Sequence, residues 1–166
     1  MLSGSDNMSA VITHLADAGI PVLLASFSLR GSLYALNAIT VQEVIRPRKL
    51  TRVPHAPAAV LGVINLRGRI VTVFDTAILL DLGARAQTAE SRIFVLEDDG
   101  EFFGLLVDSV SDVTVREASG CGAVPATVPA HQMKFYEGTY RHKGQVIALL
   151  NARSLLAAAG SAGEVR

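Results

Sequence analysis

Tryptophan is absent from this chain, and cysteine occurs once, at Cys121. A single thiol forms no intramolecular disulfide, so thiol pairing neither staples the fold nor discloses its compartment. No Lys or Arg precedes Arg30, which argues against a secretory signal with its basic start. No apolar run approaches the roughly 20 residues that span a bilayer, so no direct membrane insertion is expected. Net charge is missing too: 15 Lys and Arg balance 15 Asp and Glu, and the total points to no partner. The expectation is a soluble, cytoplasmic protein.

Signatures of chemistry are also lacking. The histidines, His14, His55, His131 and His142, have no metal-ligand spacing. There is no GxSxG, no phosphate loop and no paired CxxC. Cys121 sits in Gly-Cys-Gly, where a structural or incidental thiol outweighs a nucleophile. Asp98-Asp99-Gly100 reads as a hairpin tip rather than a catalytic carboxylate pair. The expectation is a protein that is not an enzyme and needs no metal or cofactor.

What is present is apolar. Half of the 166 residues are hydrophobic, enough for one domain or two small ones. A large core explains that share, and so does apolar surface reserved for partners. Residues 1–20 read as a flexible N-terminal arm, 21–158 as the folded region and 159–166 as a C-terminal tail. Within the folded region the pattern is mostly strand. Val22–Leu29 and Leu33–Leu36 flank the turn Arg30-Gly31-Ser32, a hairpin signal. In Thr40–Ile45, alternation sets Val41, Glu43 and Ile45 on one face and Gln42 and Val44 on the other. Pro54 and Pro57 open an Ala-rich stretch that reads as a turn of helix closed by Gly62. Thr76–Leu80 reads as a short helix capped by Asp75 and stopped by Gly83.

The second half repeats the plan. Gly31–Leu36 aligns with Gly100–Leu105, and at the same offset Val41-Gln42-Glu43-Val44 falls on Val110-Ser111-Asp112-Val113. Gly62–Asp75 aligns with Gly138–Asn151, and each is followed by a short apolar helix. The order A-B-A′-B′ implies a duplicated β-unit of roughly 70 residues, near the lower limit for a stable core, so two units should pack together. Short, mainly antiparallel strands with glycine turns argue for small barrels.

The neutral total hides segregation. Between Val44 and Phe74 there is no acid, while Arg46, Arg48, Lys49, Arg52, Arg67 and Arg69 are present. Residues 90–117 are acidic, with only Arg92 and Arg116 as cations. Nucleic-acid binding by a small barrel needs aromatics among its cations, and the basic stretch has none before Phe74. Ordinary solvated charge and protein contact remain equally open there. Arg67 stands out in Asn65-Leu66-Arg67-Gly68, a turn between two apolar strands. A structural salt bridge, with Glu43 as partner, and an interface role stand about even.

These motifs in order, with Pro57–Gly62, Ile70–Asp75 and Gly104–Val113, resemble the CheW family from about Leu24 to Leu156. The resemblance implies a mainly β fold of two five-stranded SH3-like barrels packed together, with short helices. It implies a non-enzymatic adaptor between chemoreceptor signalling tips and the regulatory domain of a CheA-type histidine kinase. It makes Val41, Glu43, Gly62, Arg67, Val110 and Val113 candidates for the receptor-facing surface. At strand spacing the default for Val41, Val110 and Val113 is nevertheless the core. The sequence departs from the family at Asp75-Thr76-Ala77, where Asp-Leu-Arg is common, and in the segment from Cys121 to His131. Alternatives are an adaptor of twitching motility or another chemosensory-like pathway, and a nucleic-acid-binding barrel.

Overall fold

The computed structural model describes residues 22–84 and 86–163; the arm read at residues 1–20 lies outside them. Hairpins are its units. β1 (Val22–Leu29) pairs with β2 (Ser32–Asn37), and β4 (Val60–Leu66) with β5 (Arg69–Asp75). In the second half β6 (Arg92–Asp98) pairs with β7 (Glu101–Val107), and β10 (Tyr136–His142) with β11 (Gln145–Leu150). Every one of these hairpins turns on two residues, Arg30-Gly31, Arg67-Gly68, Asp99-Gly100 or Lys143-Gly144, all at positive φ. That is the type I′ geometry whose twist matches antiparallel strands, and it explains the glycine at each second position.

The duplication appears in the sheets, but not as two consecutive pieces of chain. With β3 (Val41–Ile45), β8 (Ser109–Arg116) and β9 (Cys121–Gly122), the orders are β8-β1-β2-β11-β10-β9 and β3-β6-β7-β5-β4. Replacing each strand by its repeat partner converts one order into the other, β9 aside. Each sheet therefore combines the first hairpin of one half with the second hairpin of the other, joined by the parallel pairs β2–β11 and β5–β7. The third strands are exchanged as well: β3 pairs with β6, and β8 with β1.

Both sheets are drawn together edge to edge in the same way. Residues 117–120 carry the chain from β8 to β9, which pairs with β10. In the other sheet the chain leaves β3 and reaches Thr51, which exchanges backbone hydrogen bonds of 2.9 and 2.8 Å with Val63 of β4. Gly62 and Gly138 lie at bulges in β4 and β10. A Cβ at Gly62 would stand 2.6 Å from the Thr51 carbonyl oxygen, and one at Gly138 would stand 2.5 Å from that of Gly122. These glycines permit the close approach that bridges each sheet.

Strands apolar on both faces serve two cores. Along β6, Ile93 and Val95 pack inside their own sheet while Phe94 and Leu96 face the seam between the sheets. Along β11, Ile147 and Leu149 pack inside the first sheet and Leu150 at the seam. Phe27 of β1 meets Phe94 of β6 across the seam with ring centroids 5.3 Å apart. Each such ring, fully buried, contributes about 1.5–3 kcal/mol. The helices α1 (Thr76–Leu79) and α2 (Ala152–Gly163) close the seam with Ala77, Leu155 and Leu156.

Several details differ from the sequence reading. Residues 54–59 form turns without a helix, because β4 already begins at Val60. Asp75 caps α1 as expected, its Oδ1 accepting from the backbone N–H of Ala77 at 3.0 Å. Helix α2 continues through Gly163, past the point where the sequence places a tail. A bulge between Val41 and Glu43 breaks the expected alternation in β3. Val41 packs against the seam core and Ile45 against the interior of the second sheet, so Val41 does not share a face with Ile45.

Candidate partner-binding surface

The turn joining β4 and β5 is built from its neighbours inward. Leu66 is buried in the interior of the sheet and anchors the strand end. Asn65 Oδ1 accepts from the Gly68 backbone N–H at 2.9 Å and holds the turn. Arg67, at φ 52°, is left to project. Its guanidinium donates to both carboxylate oxygens of Glu43, Nη1 to Oε1 at 2.8 Å and Nη2 to Oε2 at 3.1 Å. The intramolecular partner expected from the sequence is therefore present. The Arg67 side chain is still 77% exposed and that of Glu43 25% exposed, so the pair adds little stability and fixes a charged fork at the surface. Beneath it opens a cleft of about 330 Å³ floored by Val71, Val95 and Phe102. Arg69 stacks over the Phe102 ring at 4.4 Å from its centroid.

A second feature is the seam-facing edge of the first sheet. Val113 pairs with Ala25, and Val110 with Phe27, both seam-core residues. Residues directly opposite in an antiparallel pair share a face, so both valines point toward the seam. They nonetheless lie beyond its cover: Val113 is 65% and Val110 42% exposed. The core default is overturned for these two because the facing sheet does not reach β8. Val41, half-buried, keeps its contact with the seam core.

Gly62 is not at the surface. It is buried under Thr51, and its requirement for glycine comes from the bridge between β3's extension and β4. The remaining candidates fall into an apolar strip, Val41, Val110 and Val113, and a charged fork, Glu43 and Arg67. Both β3 and β8 stand first in their sheet orders, and residues 38–40 cross from one sheet to the other alongside β1.

Sequence reasoning missed Leu23, Val115 and Ile39. Leu23 pairs with Val115 on the same face as Val113, and they are 45% and 48% exposed. Ile39, in the crossing segment, is 74% exposed. Alternation Val113-Thr114-Val115 was the available signal for the strand; which face lay open was not in the pattern. Arg69 over Phe102 was also unforeseen, since the two are brought together by the parallel pairing of β5 with β7.

Elsewhere, Cys121 is exposed and its sulfur accepts from Arg116 Nε at 3.0 Å. Among the described residues no group of His, Cys, Asp or Glu could hold a metal ion, and no helix is long and apolar enough to cross a membrane.

Two bridged β-units sharing one core, with an exposed apolar strip at the edge of one sheet and an arginine–glutamate fork on the other, define a protein-binding module. The comparisons with known proteins identify its kind. Residues 24–160 match the family model for the CheW-like domain, and the chain belongs to this family. The chain is 30% identical to the chemotaxis protein CheW of Rhizobium meliloti over 148 residues, 89% of this chain and 94% of the relative. It is 36% identical to the CheW of Thermotoga maritima over 99 residues, 60% of this chain and 65% of that one. A crystal structure of the scaffolding protein TtCheW from Thermoanaerobacter tengcongensis matches with a TM-score of 0.73 at 31% identity, covering 81% of this chain and 92% of the other. The protein is a CheW-family scaffold of the chemotaxis type, and its mainly β, two-unit fold is that of the family.

Proposed function

We propose that this chain is a non-enzymatic adaptor that couples the cytoplasmic tips of chemoreceptors to the regulatory domain of a CheA-type histidine kinase. It would work in the cytoplasm, at membrane-associated receptor arrays, without a cofactor. The observation that carries the reading is the exposed apolar strip on the seam face, Val110, Val113 and Val115 with Leu23. An exposed apolar strip of this kind suits the apolar face of a partner helix, the helix-in-groove mode of recognition. The Arg67–Glu43 fork on the other sheet supplies a second, charged anchor, of a residue type enriched in interface hot spots. Because both sheets share one seam, a shift imposed on the strip reaches the core that joins them, and the kinase would read that shift as a change in geometry.

A pathway other than flagellar chemotaxis stays a second reading. The chain is 30% identical to the protein PilI of Pseudomonas aeruginosa over 84 residues, about half of each chain. An adaptor of a twitching-motility system fits the same surface.

The test is a pull-down with a receptor cytoplasmic fragment and a CheA-type kinase regulatory domain from the same organism. The folded wild type is expected to hold both. Val113→Asp and Arg67→Ala are each expected to weaken the receptor at least ~10-fold, the scale of a hot-spot truncation, and to keep the kinase. Binding of neither partner by the folded wild type would overturn the adaptor reading.

A further inference from the structure

Leu23, Val113 and Val115 share one face of the first sheet's edge, and Val110 extends it along β8. Among the described residues nothing covers this strip, and its valines and leucine stay 42–65% exposed. From Val110 to Val115 it runs about 16 Å, at ~3.3 Å per strand residue. The strip is also where the chain enters the fold. β1 starts at Val22, which is buried and pairs with Arg116, and the next residue, Leu23, already belongs to the strip. The sequence ahead of Val22 is therefore tethered at the strip itself.

That sequence is suited to the place. Met8, Val11, Ile12 and Leu15 recur at steps of three and four, while Ser9, Thr13 and Asp17 fall on the opposite side of a 3.6-residue period. The four apolar residues span an arc of about 100°, the width of a core-facing helix stripe. Asn7, just ahead of Met8, is a preferred N-cap, and Gly19 followed by Pro21 is a stop. A helix over residues 8–18 would be about 16 Å long, the length of the strip. Ala18 is four residues from Val22, at most ~14 Å of chain, so such a helix can fold back over β8.

We infer that residues 8–18 dock as an amphipathic helix on this chain's own strip, with Met8, Val11, Ile12 and Leu15 against Leu23, Val113 and Val115. The apolar face of the segment carries no charge, so docking leaves none buried. The short tether sets a local concentration on the order of millimolar, so a contact too weak to hold two separate molecules is populated here. Any partner helix that uses the strip must first displace the arm, and its apparent affinity falls by the fraction of time the strip is free. The contact lies within one chain, is measured without a partner and stands whether or not the adaptor reading does.

The experiment uses the absence of tryptophan. Leu15→Trp in the full chain supplies one indole in the arm. Its emission should be blue-shifted, and its quenching by acrylamide at least ~3-fold weaker than in the same chain carrying Val113→Asp and Val115→Asp, as for a contact populated most of the time. The thermal unfolding midpoint of each variant shows that the fold is kept. Where the indole itself obstructs docking, the tryptophan-free chain decides: Ile12→Asp should move the methyl resonances of Val113 and Val115 and leave those of the buried Val71 and Val73 in place. Val113 and Val115 methyls that stay where they were on Ile12→Asp would overturn the proposal. So would protection that appears only as protein concentration rises, because it would put the arm on a second copy.

Discussion

The turns Arg67-Gly68 and Lys143-Gly144 occupy equivalent places in the two repeats and share one backbone. Their φ values are 52° and 81° in the first and 50° and 75° in the second. Their side chains do different things. Arg67 is locked to Glu43 by two hydrogen bonds, whereas the equivalents Lys143 and Asp112 form no ion pair among the described residues. The Asp112 backbone instead exchanges hydrogen bonds with the Ser26 hydroxyl at 2.6 and 3.1 Å. Duplication has kept what the chain needs to turn and freed what it shows to a partner. The same division runs through the edges: Val44 and Val113 are equivalent, and the second is the more exposed, at 65% against 43%.

If the repeats are architecturally equal, breaking the same bridge in either should do the same damage. Gly62→Val and Gly138→Val each drive a Cβ to within 2.6 Å of a carbonyl oxygen from a conformation at φ +150° or +146°. Each is expected to lose about 3 kcal/mol or to fail to fold, measured by urea unfolding. A variant at one site that unfolds like wild type would show that its sheet does not depend on the bridge.

The helix caps sharpen the comparison. Asp75 caps α1 and its equivalent, Asn151, caps α2, accepting from the Ser154 N–H at 3.0 Å. Burial pushes the Asp75 carboxyl above the usual carboxylate range, against the pull of the Ile78 and Ala77 N–H groups. A raised folded pKa means that the folded state binds more protons, so this group's contribution falls as pH rises from about 4 through the raised value. Asp75→Asn makes the two caps alike. It should leave stability at pH 7 equal or slightly higher and remove that part of the pH dependence. Urea midpoints from pH 4 to 7 for both proteins check this; a wild type that gains stability relative to the variant over that range would contradict it.

The smallest effect belongs to the fork. Arg67→Ala should shift stability by less than about 1 kcal/mol and Lys143→Ala by about nothing, since the pair is exposed. Thermal midpoints differing by many degrees between the two variants would mean that the fork is structural and not a display.

How much of this could be read from the residues follows from what is local. Glycine turns, the Asp75 cap and the repeat are written in short stretches, because φ > 0 and capping act over two to four residues. The exchange of β3 and β8 between sheets is not, because strand pattern reports which residues share a face and not which strand lies alongside. The bulge that separates Val41 from Glu43 breaks alternation without any Gly or Pro to mark it. Exposure of Val110 and Val113 depends on how far the opposite sheet extends. Gly62, read as a surface residue from the family resemblance, proved to be a backbone requirement for the same reason: Thr51 approaches it from 11 positions away.

The exchanged strands also bear on how the chain is made. β11 lies between β2 and β10 in the first sheet, and among the described strands it is the last in chain order, so it leaves the ribosome after the others. Until Gln145–Leu150 has been synthesised, the β1–β2 hairpin lacks its inner neighbour, while the second sheet, spanning Val41–Val107, can already assemble. The sheet begun first is thus finished last, and the nascent chain waits with apolar Leu33–Leu36 uncovered. Synthesis of β11, more than growth of either unit, would set the moment at which this fold acquires its shared core.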